Sequence, residues 1–282
     1  VSWFNETLYP SWRQSFQIAK TLYEDKSEFQ ELVIFEAPGF GRVLTLDGVV
    51  QVTEGDEYVY HEMLAHVPML AHGAVREVLI IGGGDGGMLR EVLKHPVTRA
   101  TMVEIDRSVI DLCTQYMPSI SDGAFEDPRA EIVIADGLKY VAETDRRFDL
   151  IIVDSTDPIG PGEVLFSEAF YADCRARLNP GGIIVTQNGV PFLQAEELKS
   201  SYAKFRRLFQ DPGFFVAAVP TYVGGFMTLG WGSDEASHRQ HSVEEIRRRF
   251  EARPFKTRYY NPEIHVASFA LPQFVRDMMK EA

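Results

Sequence analysis

The chain has 282 residues, 45% of them hydrophobic and 24% charged, a balance that supports a buried core, excludes a disordered chain and suggests one or two domains. With 28 Lys and Arg against 41 Asp and Glu, the formal net charge is −13, which argues against a nucleic-acid binder; such a surplus serves solubility first and the steering of a cationic ligand second. Two cysteines, Cys113 and Cys174, are too few for a disulfide framework and too widely spaced for a zinc cluster, so a reducing, cytoplasmic setting is expected. The longest apolar runs, Val78–Ile81 and Gly181–Val185, are strand-length and far short of the roughly 20 residues of a membrane span. No membrane association is expected, and Val1–Phe4 has no basic stretch followed by an apolar core that would suggest export.

Over the first fifty-odd residues, short β-prone runs alternate with turn signals. Glu31–Phe35, a Pro-Gly turn at 38–39, Arg42–Leu46, Asp47-Gly48 and Val49–Thr53 read as antiparallel hairpins. Glu57–Leu70 then changes period, with Tyr60, Met63, Leu64 and Val67 at helical spacing. This places a boundary near Gly55 and divides the chain into a small β-hairpin domain, 1–55, and a larger domain, 56–282. In the second part, strand-like runs at Glu77–Ile81, Ala100–Glu104, Glu131–Ile134 and Phe148–Val153 alternate with helix-like runs at Gly87–Lys94, Ser108–Tyr116 and Gly137–Ala142. That order predicts βαβ units around a mostly parallel sheet, an α/β fold. A helix at about Ser167–Leu178 leads through Asn179-Pro180-Gly181-Gly182 into a further strand, Gly182–Gln187. Phe214–Val219 and Phe226–Trp231 are expected to close the sheet as an antiparallel pair.

The segment Val78-Leu-Ile-Ile-Gly-Gly-Gly-Asp-Gly-Gly87 is a buried strand running into a glycine-rich turn that opens a helix, the pattern of a nucleotide-binding βα turn. Gly82, Gly84 and Gly87 satisfy the dinucleotide spacing, and Glu104 at the end of the next strand is placed to hold a ribose diol. Asp85 argues against a dinucleotide, because a carboxylate inside this loop repels a pyrophosphate. A cationic ligand suits the turn better.

The third strand ends in Asp136-Gly137 and the fourth in Asp154-Ser-Thr-Asp157-Pro-Ile-Gly-Pro161. Ligands of open α/β sheets lie beyond the carboxyl ends of the strands, so Asp85, Glu104, Asp136, Asp154 and Asp157 are expected to converge on one crevice. A divalent metal and an organic polycation could each balance that charge. The polycation is favoured, and no metal is assigned, because no His-x-x-x-His or calcium-loop spacing is present. Singly, a carboxylate at a strand end caps a turn or helix, the default for Asp157 before Pro158. His61 in Tyr60-His61-Glu62-Met63 reads first as a solvated or core histidine. Trp3 and Tyr222 could box an alkylammonium but more often such residues pack. Neither cysteine sits in a nucleophile motif, and no Gly-x-Ser-x-Gly elbow exists.

Taken together, Gly-Gly-Gly-Asp-Gly-Gly at 82–87, Glu104-Ile105-Asp106, Asp136-Gly137, the 154–161 segment, Pro220-Thr-Tyr222 and Tyr259-Tyr-Asn-Pro262 resemble the aminopropyltransferase family of the bacterial spermidine synthases. Trp3-Phe4, Phe29-Gln30, Leu46–Gln51 and Tyr60-His61-Glu62-Met63 extend the resemblance nearly end to end. It implies a Rossmann-like, methyltransferase-type domain preceded by a small antiparallel β domain. It also implies transfer of the aminopropyl group of decarboxylated S-adenosylmethionine to putrescine, giving spermidine and methylthioadenosine. The donor is a co-substrate, and no further cofactor is implied.

By the same resemblance, Glu104 takes the ribose hydroxyls, Asp136 with Gly137 the adenine amino group, and Gln30 another donor contact, while Ile105 and Pro161 sandwich the adenine, and Gly82 and Gly84 also bind the donor. Asp154 matches the proton acceptor, or else orients the amine while water carries the proton. Asp85, Asp157, Tyr60, His61, Gln187, Tyr222 and Trp3 would line the polyamine channel. His61 stands where some members have Gln, which leaves its charge state and hydrogen-bond direction open. A homodimer or homotetramer is implied, and the glycine-bearing segment 160–164 is a candidate lid. A methyltransferase, an idle polyamine-binding protein and an NAD-dependent dehydrogenase remain the rival readings.

Overall fold

A computed structural model describes residues 1–156 and 160–282, the side chains of residues 160 and 161 excepted. Strands β1 (Ser2–Asn5) and β2 (Ser15–Ile18) form an antiparallel ribbon. A separate antiparallel sheet follows in chain order: β3 (Lys20–Lys26), β4 (Glu31–Ala37), β5 (Gly41–Leu46) and β6 (Val49–Thr53). Asp47 and Gly48 join β5 to β6 with φ of 48° and 76°, the left-handed pair whose twist suits a two-residue hairpin. The hairpin reading of 31–53 therefore stands. It missed β1, β2 and β3, which lie on the surface and lack a clean alternation of apolar and polar residues.

Helix α1 (Glu57–His72) follows directly and is buried on nearly every face from Val59 to Ala71. After it come β7 (Glu77–Gly82), α2 (Gly87–Leu93), β8 (Arg99–Glu104), α3 (Arg107–Tyr116), α4 (Pro118–Ser121), β9 (Ala130–Ile134), α5 (Gly137–Glu143) and β10 (Phe148–Asp154). A 3-10 segment at Gly160–Phe166 leads to α6 (Glu168–Ala176), β11 (Leu178–Gln187), α7 (Ala195–Leu208), β12 (Asp211–Ala217) and β13 (Met227–Ser233). Helices α8 (Val243–Ala252), α9 (Pro262–Ala267) and α10 (Gln273–Glu281) complete the chain; the sequence reading had placed no elements there.

Seven strands form the large sheet in the order β12-β13-β11-β10-β7-β8-β9, parallel from β11 to β9 and antiparallel at β13 and β12. This is the α/β, methyltransferase-like architecture behind a small antiparallel β region. Side chains alternate across the sheet as strand geometry requires. Val78 and Ile80 face α1 and α2, whereas Leu79 and Ile81 face Val141, Phe170 and Phe205 of α5, α6 and α7. Chain order runs outward in both directions from β7 and β10, so the crevice between their carboxyl ends is the topological switch point, where such sheets bind ligands.

The small sheet packs against the large unit through Leu32, Ile34, Leu44, Leu46 and Val52 on one side and Val109, Leu112, Cys113, Met117 and Ile120 on the other. Both cysteines are free and buried. Among the described residues, no helix is long and apolar enough to cross a membrane. A polar clasp fixes the C-terminal segment: the buried Glu62 carboxylate accepts the backbone N–H groups of Arg258, Tyr259 and Tyr260 at 2.7, 2.8 and 2.8 Å. A helix buried all round must find partners for its polar side chains, and this is how α1 satisfies one of them.

Candidate active site

A cavity of about 370 Å³ opens at the switch point. Its lining includes Gln30, Gly82, Gly84, Asp85, Glu104, Ile105, Asp136, Gly137 and Asp154, together with Tyr60, His61, Gln187 and Tyr222. Five loops that follow strands thus deliver residues that are far apart in sequence to one wall.

Backbone geometry at the first strand end explains the glycine-rich turn. Gly82 has φ of 85° and pairs in register with Asp154, and a Cβ there would lie 2.1 Å from the Asp154 carbonyl oxygen. The third glycine serves a different purpose from the one its spacing suggests. A Cβ on Gly87 would lie 2.3 Å from the His61 ring, so Gly87 makes room for an imidazole where a dinucleotide fold would pack helix on strand. Asp85 Oδ1 accepts the Gly87 N–H at 2.7 Å, anchoring the carboxylate at the start of α2.

The groups expected to hold adenosine lie at the ends of β8 and β9. Glu104 is buried, and its Oε1 accepts the Asp106 N–H at 2.9 Å. Burial, with the nearby charges of Asp106 and Asp154 adding to it, raises its carboxyl to about 7. Asp136 caps α5 through the Leu138 N–H at 2.9 Å. Gln30 reaches across from the small sheet, its amide donating to Asp106 Oδ2 at 3.1 Å, while Ser27 donates to the same oxygen at 2.6 Å. One Gln30 N–H is thereby engaged, which leaves its second N–H and its carbonyl oxygen to offer a ligand.

At the other end, the Tyr60 phenol donates to Asp154 Oδ1 at 2.8 Å. Burial and the Asp154 charge hold that phenol well above its usual range, so it stays a donor. Asp154 itself is pushed up to about 6 by burial and by the charge of Asp85, against the opposing pull of His61 and the Tyr60 hydrogen bond. Burial also works against ionisation of Asp85, but His61 and the Gly87 N–H outweigh it and hold that carboxyl below the usual range. Two neighbouring carboxylates therefore differ in charge preference, as acid–base sites do.

Tyr222 meets Tyr60 edge to face at 5.7 Å and donates to the Gln51 carbonyl at 2.8 Å. Its loop is pinned by Asp56 Oδ2, which accepts the Thr221 N–H at 2.8 Å and its hydroxyl at 2.7 Å. Gln187 Oε1 accepts the Gly189 N–H at 2.9 Å.

His61 is neither solvated nor an inert core histidine. It is 2% exposed, with Nδ1 2.7 Å from Glu57 Oε2 and Nε2 3.6 Å from Asp85 Oδ1. Burial would lower its basicity, but the two carboxylates outweigh that and raise it well above the ordinary imidazole range.

The expectation for Trp3 is not met in the single chain. It stands 54% exposed on β1 and is absent from the cavity lining, because its neighbour Phe4 takes the inward face of the ribbon against Phe35 at 5.3 Å and alternation turns Trp3 outward. Asp157 and the Pro161 side chain lie outside the described residues. Among the described residues, no group of three or more His, Cys, Asp or Glu is arranged to hold a metal ion.

Two contributors escaped the sequence reading. Glu57 sits one turn before His61, an i,i+4 relation that was available on a predicted helix. Glu6, 3% exposed, lines the cavity and accepts the Val50 N–H at 2.9 Å and the Gln14 amide at 3.0 Å, and no local signal marked it.

Comparison with known proteins gives a consistent picture. A family model described as the spermine/spermidine synthase domain matches residues 57–242, and one described as the spermidine synthase tetramerisation domain matches residues 2–54. The chain is 58% identical over 276 residues to polyamine aminopropyltransferase 1 of Pseudomonas aeruginosa, covering 98% of this chain and 96% of that protein. It is 54% identical over 277 residues to the polyamine aminopropyltransferase of Escherichia coli O9:H4, again covering 98% and 96%. A crystal structure of spermidine synthase in complex with the transition-state analogue AdoDATO superimposes with a TM-score of 0.94 at 38% identity, covering 100% of this chain and 96% of that one. That of spermidine synthase from Thermotoga maritima gives 0.91 at 37% identity, covering 99% and 94%.

Proposed function

The chain belongs to the spermine/spermidine synthase family, and from that premise we infer how its crevice works. It transfers the aminopropyl group of decarboxylated S-adenosylmethionine to putrescine, giving spermidine and 5′-methylthioadenosine in polyamine biosynthesis. The observation that carries the assignment of roles is the pair of unlike carboxylates, Asp85 and Asp154, at the switch point of a sheet whose other strand ends offer groups suited to adenosine.

In this reading, Glu104 accepts the two ribose hydroxyls, Asp136 with Gly137 holds the adenine amino group, Gln30 adds a contact from its side-chain amide, and Ile105 with Pro161 encloses the base. Gly82 and Gly84 bring the backbone close beneath the donor. Asp85 sits where intact S-adenosylmethionine would carry its own carboxylate. It attracts the ammonium of the decarboxylated donor and repels the carboxylate of the intact one, so decarboxylation is read as charge.

Putrescine enters as a dication, with Tyr60, His61, Gln187, Tyr222 and Asp157 along its channel. Its reacting nitrogen must lose a proton before its lone pair can attack the carbon beside the sulfur. The carbon–sulfur bond then breaks, its electrons pass to sulfur, and the sulfonium becomes a neutral thioether. Asp154 is the acceptor for that proton, and its carboxylate also aims the amine. An alkylammonium near ~10.4 is a weak acid toward a carboxylate, so the raised basicity of Asp154 and the adjacent sulfonium both help. The sulfonium brings its own activated carbon, so the step calls for no further cofactor.

Residues 1–55 and 56–282 are taken as the two units, with the first mediating assembly into a homo-oligomer, dimer or tetramer. A cytoplasmic location fits the two free, buried thiols. The test is mass spectrometry of the purified protein with putrescine and either the decarboxylated or the intact donor. Spermidine and methylthioadenosine from the decarboxylated donor alone support this reading. Methylated amine and S-adenosylhomocysteine from the intact donor would replace it with methyl transfer.

A further inference from the structure

From His61 and Asp85 in the crevice wall a chain of polar side chains runs back through Glu57 and Arg90, to which the transfer reaction assigns no step. Glu57 Oε2 lies 2.7 Å from His61 Nδ1 and 2.8 Å from Arg90 Nη2, and His61 Nε2 lies 3.6 Å from Asp85 Oδ1. Glu57 also lines a second cleft with Arg90, Glu91 and Lys94, whose lining shares no residue with the first. The groups facing the imidazole are thus Glu57 and Asp85 directly, Arg90 through Glu57, the Tyr60 ring at 5.5 Å, and the Asp154 charge beyond.

We propose that His61 is the resident counter-ion of Asp85, positioned for that role by Glu57, and that the non-reacting ammonium of the polyamine chain replaces it by expelling the imidazole's proton. This rests on the aminopropyl-transfer reading of the crevice. One buried imidazolium between two carboxylates is well compensated, but an ammonium arriving at the same Asp85 places two cations side by side in a low-dielectric site. At close range the two cations repel each other, and that repulsion weakens the hold of the more weakly basic one on its proton. An alkylammonium ordinarily holds its proton to about 10.4 and an imidazole to about 6.5, so the imidazole gives way.

Glu57 decides which proton leaves. It accepts the Nδ1–H, so the proton on Nε2 is released to solvent and the freed Nε2 lone pair accepts a hydrogen bond from the incoming ammonium. His61 thereby changes from a cation facing Asp85 at 3.6 Å into an acceptor for the ligand. The charge balance is complete: one ammonium enters the site and one proton leaves it.

The experiment is nitrogen NMR of His61 in ¹⁵N-histidine-labelled protein at about pH 7.5, where ordinary imidazoles are mostly neutral. The protein is observed alone, with 5′-methylthioadenosine, which has no ammonium, and with spermidine. His61 is expected as an imidazolium alone and with methylthioadenosine, and as the neutral Nδ1–H form with spermidine.

Spermidine affinity measured by calorimetry is expected to rise with pH by up to about tenfold per pH unit above pH ~7.5, beyond the titration of Asp154 at about 6 and Glu104 at about 7. That slope is expected to vanish in His61→Gln. In Glu57→Gln it moves to lower pH, because loss of the Glu57 charge weakens the imidazole's hold on its proton. His61 keeping both protons with spermidine bound, or an unchanged slope in His61→Gln, would overturn the proposal while leaving aminopropyl transfer intact. Failure of spermidine to bind at any pH would overturn both.

Discussion

The phenol of Tyr60 donates a 2.8 Å hydrogen bond to Oδ1 of Asp154, tying the first turn of α1 to the end of β10 across the crevice. The bond favours the ionised carboxylate and so restrains the rise that burial and Asp85 impose. Asp154 must be ionised to accept a proton, so with the donor saturating, which keeps Glu104 ionised, kcat/KM for putrescine is expected to fall as pH drops through about 6. Tyr60→Phe removes the restraint. Its acidic limb should move upward by about one to two pH units, given the ~1.5–3 kcal/mol of a hydrogen bond to a charged group. A pH profile with an unmoved acidic limb would dissociate Tyr60 from the protonation of Asp154.

Replacing Asp154 itself separates acceptance of the proton from binding. Asp154→Asn keeps the shape but removes the basic oxygen, and kcat is expected to fall on the order of 10²- to 10⁴-fold. Methylthioadenosine affinity should change little, since its contacts lie along β8 and β9. Near-full turnover would leave Asp154 as an orienting group with water as the proton carrier.

Donor choice rests on the sign of one charge. Asp85→Asn should weaken the decarboxylated donor and narrow its preference over intact S-adenosylmethionine, because the repulsion against a donor carboxylate is gone. Competition binding with the two donors measures the ratio directly. A ratio equal to that of the wild type would locate the discrimination elsewhere.

Much of this site was legible because each strand ends in its own short polar signal: Gly-Gly-Gly-Asp after β7, Glu104 at β8, Asp136-Gly137 after β9 and Asp154 at β10. Strand alternation and the switch-point rule are enough to bring those ends together. What could not be read were relationships carried by tertiary contact. Gly87 fits a dinucleotide pattern by spacing, yet the fold gives its space to the His61 ring. Trp3 sits in a matching segment, but the pairing of β1 with β2 decides which way it points. Glu6 acts through Val50, distant in sequence, and through Gln14, and the docking of residues 258–260 rests on a clasp on Glu62 that no local pattern announces.

That clasp makes a stability prediction. Glu62→Ala would leave the N–H groups at 258–260 without their acceptor, the Tyr260 one buried, a loss of about 1–3 kcal/mol by the cost of an unsatisfied buried donor. Glu62→Gln retains a carbonyl acceptor and should lose less than half as much. Urea unfolding midpoints compare the two, and equal midpoints would show that the segment finds other partners.

Glu104 gives the donor end its own pH dependence. Its carboxyl is raised to about 7 chiefly by burial, and two ribose hydroxyls can both donate only to the ionised form. Below about pH 7, ligand binding must therefore expel a proton, and methylthioadenosine affinity should fall by up to about tenfold for each further pH unit. Above pH 7 the affinity should level off. The sign is opposite to that of a group that must be protonated to bind, so the direction of the slope alone decides the role. Glu104→Gln removes the titration and should flatten the profile at reduced affinity. A calorimetric titration of methylthioadenosine across this range, in which the variant kept the wild-type slope, would assign the proton to another group in the crevice.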